Sequence, residues 1–168
     1  MLSVMRRLLA TVAGATVALL AMIGLVFVLG MRTKSPPVID TVRKLGRASR
    51  PLALKSAGGP GGAAIVHHVG RRSGAVYETP VEAVRTPDGF AIALPYGQSA
   101  DWTRNVRAAG AATLVHDGTT YAVERPELVA LTEVDDHFTA RNRAAHKFFG
   151  VTEGLRVRLV VEEPTPPA

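Results

Sequence analysis

The spacing of hydrophobic residues changes several times along the chain, and each change predicts a different kind of element. Residues 8–31, LLATVAGATVALLAMIGLVFVLGM, are uncharged and mostly apolar without a break. As a helix rising about 1.5 Å per residue, this run reaches ~36 Å, enough to cross a ~30 Å hydrocarbon layer with some tilt. Pro36-Pro37 is expected to end that helical region. Residues 38–45, VIDTVRKL, mix apolar and charged positions as a short amphipathic helix on a membrane surface would, and equally as a solvated spacer would. Residues 56–64, SAGGPGGAA, are too glycine-rich for a regular element and read as a flexible lead-in.

Beyond this point the apolar residues come in short runs. Residues 64–69 predict a first strand, residues 76–86 a second and residues 90–94 a third. Pro87-Asp88-Gly89 is expected to turn between the last two, proline fixing one φ angle and glycine accepting a positive one. Residues 112–116 and 120–125 predict a hairpin around Asp117-Gly118, and residues 155–161 a final strand alternating Leu155, Val157 and Leu159 with Arg156 and Arg158. Two stretches read at helical spacing instead. In SADWTRNVRAAG, Ser99 is expected to cap, Gly110 to stop the helix, and Trp102, Val106 and Ala109 to face the core. Residues 132–149 read as a second helix that opens on Glu133, Asp135 and Asp136 and ends before Gly150. The fold expected is mainly β within the α+β class: a small, mostly antiparallel barrel of about six strands with two flanking helices, preceded by a transmembrane helix. The chain divides into an anchor (1–31), a basic Pro/Gly-rich juxtamembrane linker (32–62) and the barrel domain (63–168).

The net charge of +6 sharpens this division. Residues 32–50 hold six basic side chains against Asp40 alone, whereas residues 51–168 hold 12 basic and 13 acidic ones. The basicity belongs to the flanks of the apolar run, where it meets anionic lipid head groups, and is no nucleic-acid footprint. The heavier positive flank follows the run, so the positive-inside rule predicts a single-pass membrane protein with its folded domain in the cytoplasm. A secretory signal peptide is the rival reading of the run. It is disfavoured because the run exceeds the usual ~7–15 residues and no small-x-small site precedes Arg32. The absence of cysteine excludes disulfides and thiolate chemistry.

Chemistry concentrates in HHVGRRSG, residues 67–74. A glycine-flanked Arg-Arg-Ser turn can aim backbone N–H groups, a hydroxyl and two planar guanidiniums at one oxyanion. The same turn is also an ordinary strand connection with solvated arginines. His67 and His68 point to opposite faces of a strand, and no other histidine pair has i, i+4 spacing, so a metal site is not expected. No G-x-S-x-G, Walker loop or G-x-G-x-x-G occurs, which sets aside conventional hydrolase and nucleotide-binding readings.

Taken in order, V-G-R-R-S-G, then E-T-P-V, D-G-F-A-I-A-L-P-Y-G and D-W-T-R-N-V-R-A-A-G-A-A-T-L form a combination that resembles the deazaflavin-dependent nitroreductase family. These are small split β-barrels that bind the reduced deazaflavin coenzyme F420. The matching positions are Gly70 to Gly74, Pro80, Trp102, Asn105, Val106 and Ala108, and the resemblance covers about residues 62–162. It implies that Arg71, Arg72 and Ser73 hold the phosphate and acidic tail. Leu94, Pro95, Tyr96 and Gly97 would line the ring, and Trp102 and Asn105 would close the far side, with Arg104 and Arg107 adding to the field or merely solvated.

The chain departs from the family in three places. The stretch from Tyr96 to Trp102 is short, two histidines stand where relatives often carry small hydroxyl residues, and no tyrosine follows Tyr121. Nitroimidazole reduction is therefore not assigned. The expected activity is hydride transfer from the reduced deazaflavin to an electrophilic acceptor such as a quinone, with Tyr96, Tyr77 and His68 as candidate proton donors. FMN is the alternative cofactor and a homodimer the expected assembly if partners form. The rival functions are a non-catalytic flavin, haem or lipid binding module of the same fold, and a membrane-anchored interaction domain without cofactor.

Overall fold

The computed structural model describes residues 2–160. Val161 of the expected last strand and the rest of the domain to residue 168 lie outside the described residues. The described residues form an α+β fold of four helices and seven strands. Helix α1 (Leu2–Arg32) contains the apolar run, and its segment Thr11–Arg32 has mean hydropathy 2.6. It is long and apolar enough to cross a membrane, and only its C-terminal end, at Gly30 and Met31, is buried against the domain.

The basic segment that follows is regular. Helix α2 (Pro36–Ser56) runs for 21 residues, which corrects both the short helix expected over 38–45 and its alternative, a solvated spacer. Pro36 and Pro37 open this helix rather than ending the previous one, because the first helical positions have no intrahelical use for the N–H that proline lacks. The reversal between α1 and α2 falls on Lys34, which has φ 52°, and it brings Gly30 so close to Val38 that a side chain at 30 would collide with it. The glycine-rich lead-in is also ordered. Gly58 donates to Ala63 O and accepts from Gly118 N, while Gly61 N donates to Asp117 Oδ1.

The strands are β1 (Ala64–Val69), β2 (Val76–Val81), β3 (Ala83–Thr86), β4 (Gly89–Ala93), β5 (Ala111–His116), β6 (Thr119–Ala130) and β7 (Glu153–Leu159). They form one antiparallel sheet in the order β2-β1-β5-β6-β7-β4-β3, curled into a half-barrel. The curl has a covalent cause. β2 and β3 are the two opposite edges of the sheet, yet only Glu82 separates them, so the edges must approach each other. The apolar run 76–86 thus serves as two strands, changing partner from β1 to β4 at Glu82, whose carbonyl accepts from Ala93 N.

Turn chemistry explains the remaining boundaries. Asp117 and Gly118 both have positive φ, as a tight hairpin between β5 and β6 requires. Gly89 does not, contrary to expectation. It is needed because a Cβ there would overlap the β7 backbone at Val157 and Arg158. β6 continues past residue 125 because Arg125 takes φ 51° in a bulge between Glu124 and Glu127, which absorbs Pro126. The expected helix 132–149 breaks into two single turns, Leu131–Glu133 and Asp135–His137, and helix α4 (Ala140–Phe149). Phe138 leaves the helical path to enter the core, and Thr139 Oγ1 then caps α4 by accepting from Asn142 N.

Strand β4 is buried on both faces. Phe90 and Ile92, with Leu94 beyond the strand, point into a core with Val66, Leu114, Val123, Leu155 and Val157. Ala91 and Ala93 face a second cluster with Leu131, Val134 and Phe138. Each large side chain fully buried here contributes about 1.5–3 kcal/mol. Helix α3 (Asp101–Ala109) lies beside β1 and buries Thr103, Asn105 and Val106. Ala109 is exposed and Ser99 does not cap, while Gly110 ends the helix in the left-handed conformation as expected.

Candidate functional site

Helix α2, the β1–β2 turn, the end of β4 and helix α3 enclose one cleft of about 890 Å³, within the usual size range of small-molecule sites. Every site residue expected from the sequence lines it: His68, Arg71, Arg72, Ser73, Tyr77, Leu94, Pro95, Tyr96, Gly97, Trp102 and Asn105. Arg104 and Arg107, the two uncertain cations, are not among its lining residues.

The Gly70–Gly74 turn is both a strand connection and a cationic rim. Gly70 N donates to Ala75 O and Gly74 N to Gly70 O, both at 2.8 Å, and Ala75 N donates to Ser73 Oγ. Arg71 N donates to Asn105 Oδ1 at 3.2 Å. The amides of Gly70, Arg71, Gly74 and Ala75 are therefore already donated, which shifts anion recognition toward the side chains. A Cβ at Gly70 would lie 2.5 Å from Ser73 Oγ and 2.7 Å from Tyr77 Cε2, so both side chains would have to shift to admit one.

Asn105 organises this side of the cleft. Its Oδ1 also accepts from Arg71 Nη1 at 2.9 Å, and its Nδ2 donates to His68 Nδ1 at 3.2 Å. His68 Nε2 then donates to Thr79 Oγ1 at 3.0 Å. An imidazole that accepts at Nδ1 and donates at Nε2 is neutral. Burial, then the charges of Arg50 and His67, lower the His68 pKa in keeping with this. Asn105 is only 6% exposed, so it positions Arg71 and His68 rather than presenting itself to a ligand. His68 stacks on Tyr77 at 5.7 Å between centroids, and the Tyr77 hydroxyl meets Ser73 Oγ at 3.2 Å.

The neutral imidazole makes stability depend on pH. The unfolded chain takes up a proton on this histidine as pH falls through ~6.5, while the folded chain resists. Stability contributed by neutral His68 is full above that value and is lost on acidification. The melting temperature should drop more steeply between about pH 7 and pH 5 in the parent than in His68→Gln; parallel slopes would contradict this account.

The opposite wall is apolar, formed by Pro80, Val81, Ala93, Leu94 and Pro95, with Trp102 packed half in the core and half on the cleft. Gly97 has φ 72°, which lets the chain turn back after β4 toward α3. Burial raises the Tyr96 pKa, so the phenol keeps its proton at neutral pH.

Helix α2 joins this site although no motif announced it: Asp40, Arg43, Arg47 and Arg50 line the cleft from that helix. Their spacing, one helical face at 40, 43, 47 and 50, was the available signal. Arg43 Nη2 donates to Tyr96 O (3.2 Å) and Ser99 Oγ (2.8 Å), and Lys34 Nζ donates to Pro95 O (3.0 Å). Burial lowers the Lys34 pKa, with the Glu153 carboxylate opposing. Arg32 Nη1 donates to Lys147 O and Phe148 O at the C-terminus of α4, where unpaired carbonyls favour a cation. The foot of α1 is thereby fixed to the domain. No family model and no curated protein matches the chain.

Proposed function

We propose that the protein is a membrane-anchored oxidoreductase that uses the reduced deazaflavin coenzyme, its half-barrel being a split β-barrel of the deazaflavin-dependent nitroreductase type. The observation that carries this reading is the convergence on one cleft of the arginine turn, the Leu94–Gly97 segment and the tryptophan-bearing helix. Those are the three pieces on which the resemblance rests, and they come from well-separated parts of the chain.

The residues present suit such a coenzyme. One rim of the cleft, of about 890 Å³, is cationic, and Leu94, Pro95 and Trp102 give it an apolar wall. When bound, the reduced deazaflavin supplies a hydride to an electrophilic acceptor. The protein's part is position and charge. Arg71 and Arg72 attract the phosphate end, Asn105 keeps the Arg71 guanidinium in place, and Leu94, Pro95 and Trp102 exclude water from the ring. Tyr96, still protonated, is the group on this wall able to give a proton to the reduced acceptor. His68, with both ring nitrogens engaged, acts through Asn105 and Thr79.

The helix Thr11–Arg32 supports a single-pass anchor, and the basic flank after it supports a cytoplasm-facing domain. A hydrophobic acceptor such as a quinone suits that placement, because Lys34, in the turn after the anchor, and Arg43, on α2, bond the Pro95-Tyr96 segment of the cleft wall. The test is a titration of full-length protein in detergent against the deazaflavin coenzyme, read by its fluorescence. Quenching or a spectral shift that saturates in the micromolar range is expected. No change at tens of micromolar would overturn the reading. Reoxidation of the reduced coenzyme by a soluble quinone, in the presence of the protein, then separates an enzyme from a binding module.

A further inference from the structure

The cleft is lined by five arginines and three carboxylates. Each carboxylate is already engaged. Asp101 lies 3.5 Å from Arg71 and 3.7 Å from Arg104, Asp40 lies 4.0 Å from Arg43, and Glu82 lies 3.1 Å from His146. Among the described residues, Arg47, Arg50 and Arg72 have no ion pair and donate no side-chain hydrogen bond. Arg47 and Arg50 stand on α2 and Arg72 on the β1–β2 turn, and all three line the same cleft.

An exposed arginine without a partner is usually just solvated, but this arrangement is more specific. Arg43, Arg47 and Arg50 follow one face of α2 and span about 10 Å along it, at ~1.5 Å per residue. Arg50 is half-buried, and Arg43 has a buried Nε with no partner. Guanidiniums gathered around one partly desolvated cleft repel each other unless anions lie between them. A ligand with one anionic group would satisfy the β1–β2 turn and leave the α2 row uncompensated.

We propose that α2 forms a second anion subsite, in which Arg47 and Arg50, backed by Arg43, receive successive carboxylates of an acidic tail whose phosphate end lies at Arg71 and Arg72. The inference rests on the coenzyme reading and extends it to a class of ligand: long-tailed forms, with several glutamates, are preferred over tail-less ones. A ladder of carboxylates matches a ladder of arginines along a helix, and each contact is a charge-assisted, two-pronged hydrogen bond. Because α2 continues directly from the membrane helix, a long-tailed ligand also joins the anchor side of the molecule to the sheet.

The experiment compares full-length parent and the double variant Arg47→Gln/Arg50→Gln in detergent. Each is titrated with the coenzyme bearing an oligoglutamate tail and with the form that keeps the phosphate but lacks the glutamates. The variant is expected to lose about tenfold in affinity for the long-tailed form and less than about twofold for the tail-less form, with the difference shrinking at high salt. Equal losses for both forms, or no loss for either, would overturn the subsite and leave the coenzyme reading intact. If the parent binds neither form, the coenzyme reading fails, and a tetraglutamate peptide alone decides the subsite. Salt-sensitive peptide binding that the variant lacks upholds it, and no binding by the parent overturns it. Both substitutions are at positions facing the cleft, so unchanged melting temperatures accompany the expected result.

Discussion

Arg71→Glu is expected to weaken coenzyme binding on the order of 100-fold or more, beyond the range of a micromolar fluorescence titration. The reversal replaces a cation that Asn105 holds at 2.9 Å with an anion beside Asp101, which now lies 3.5 Å from the guanidinium. Ligand phosphate would then face two carboxylates instead of an ion pair. The turn itself should persist, because its hydrogen bonds from Gly70 N, Gly74 N and Arg71 N use only the backbone as donor. Arg71→Lys keeps the charge without the planar fork and should fall between, about tenfold weaker than the parent. A glutamate variant that folds and binds with parental affinity would remove the arginine turn from the site, and the functional reading with it.

Gly89→Ala should be the most damaging small substitution in the sheet. The added Cβ would overlap Val157 O and lie 2.8 Å from Arg158 Cα, both of them backbone atoms of β7 that cannot swing aside. Relief requires β4 and β7 to part where Gly89 faces Arg158. That disturbs a strand buried on both faces, and a cost of about 3 kcal/mol or more is expected. For a domain of roughly 100 residues this lowers the melting temperature by about 10 °C or more. Gly59→Ala, with open space around its Cβ and no positive φ, serves as the control and should change little. If the two variants melt together, the close approach of β4 to β7 is not real.

Much of this architecture can be read from short-range signals. The hairpin at Asp117-Gly118, the stop at Gly110 and the alternation of β7 depend only on neighbouring residues. Features set by distant contacts were not legible. Nothing local in residues 76–86 says that Glu82 is where the chain changes from one sheet edge to the other. Nothing local distinguishes a glycine needed for positive φ from Gly89, whose requirement comes from a strand some seventy residues away. The site divides in the same way. Arg71, Ser73, Leu94 and Trp102 could be named because their motifs stand in the right order. The part played by α2 could not, because its arginines are equally at home beside lipid head groups, and only the packing of that helix over the cleft separates the two roles. Asn105 was named as a contact; it lines the cleft and also holds Arg71 and His68 together, a role that only the packing reveals.

The strand order has a consequence for how the chain reaches its native state. β1 and β4 are separated in the sheet by β5, β6 and β7, all of which come later in sequence. The first four strands can pair as two hairpins, yet the middle of the sheet stays vacant until the final segment is available. β7 touches both β6 and β4 along its length, so it acts as a keystone rather than a fringe. Assembly must therefore wait for nearly the whole polypeptide, the slow regime of high contact order. Until then, the inward-facing residues of the two waiting hairpins remain open to water and to neighbouring chains.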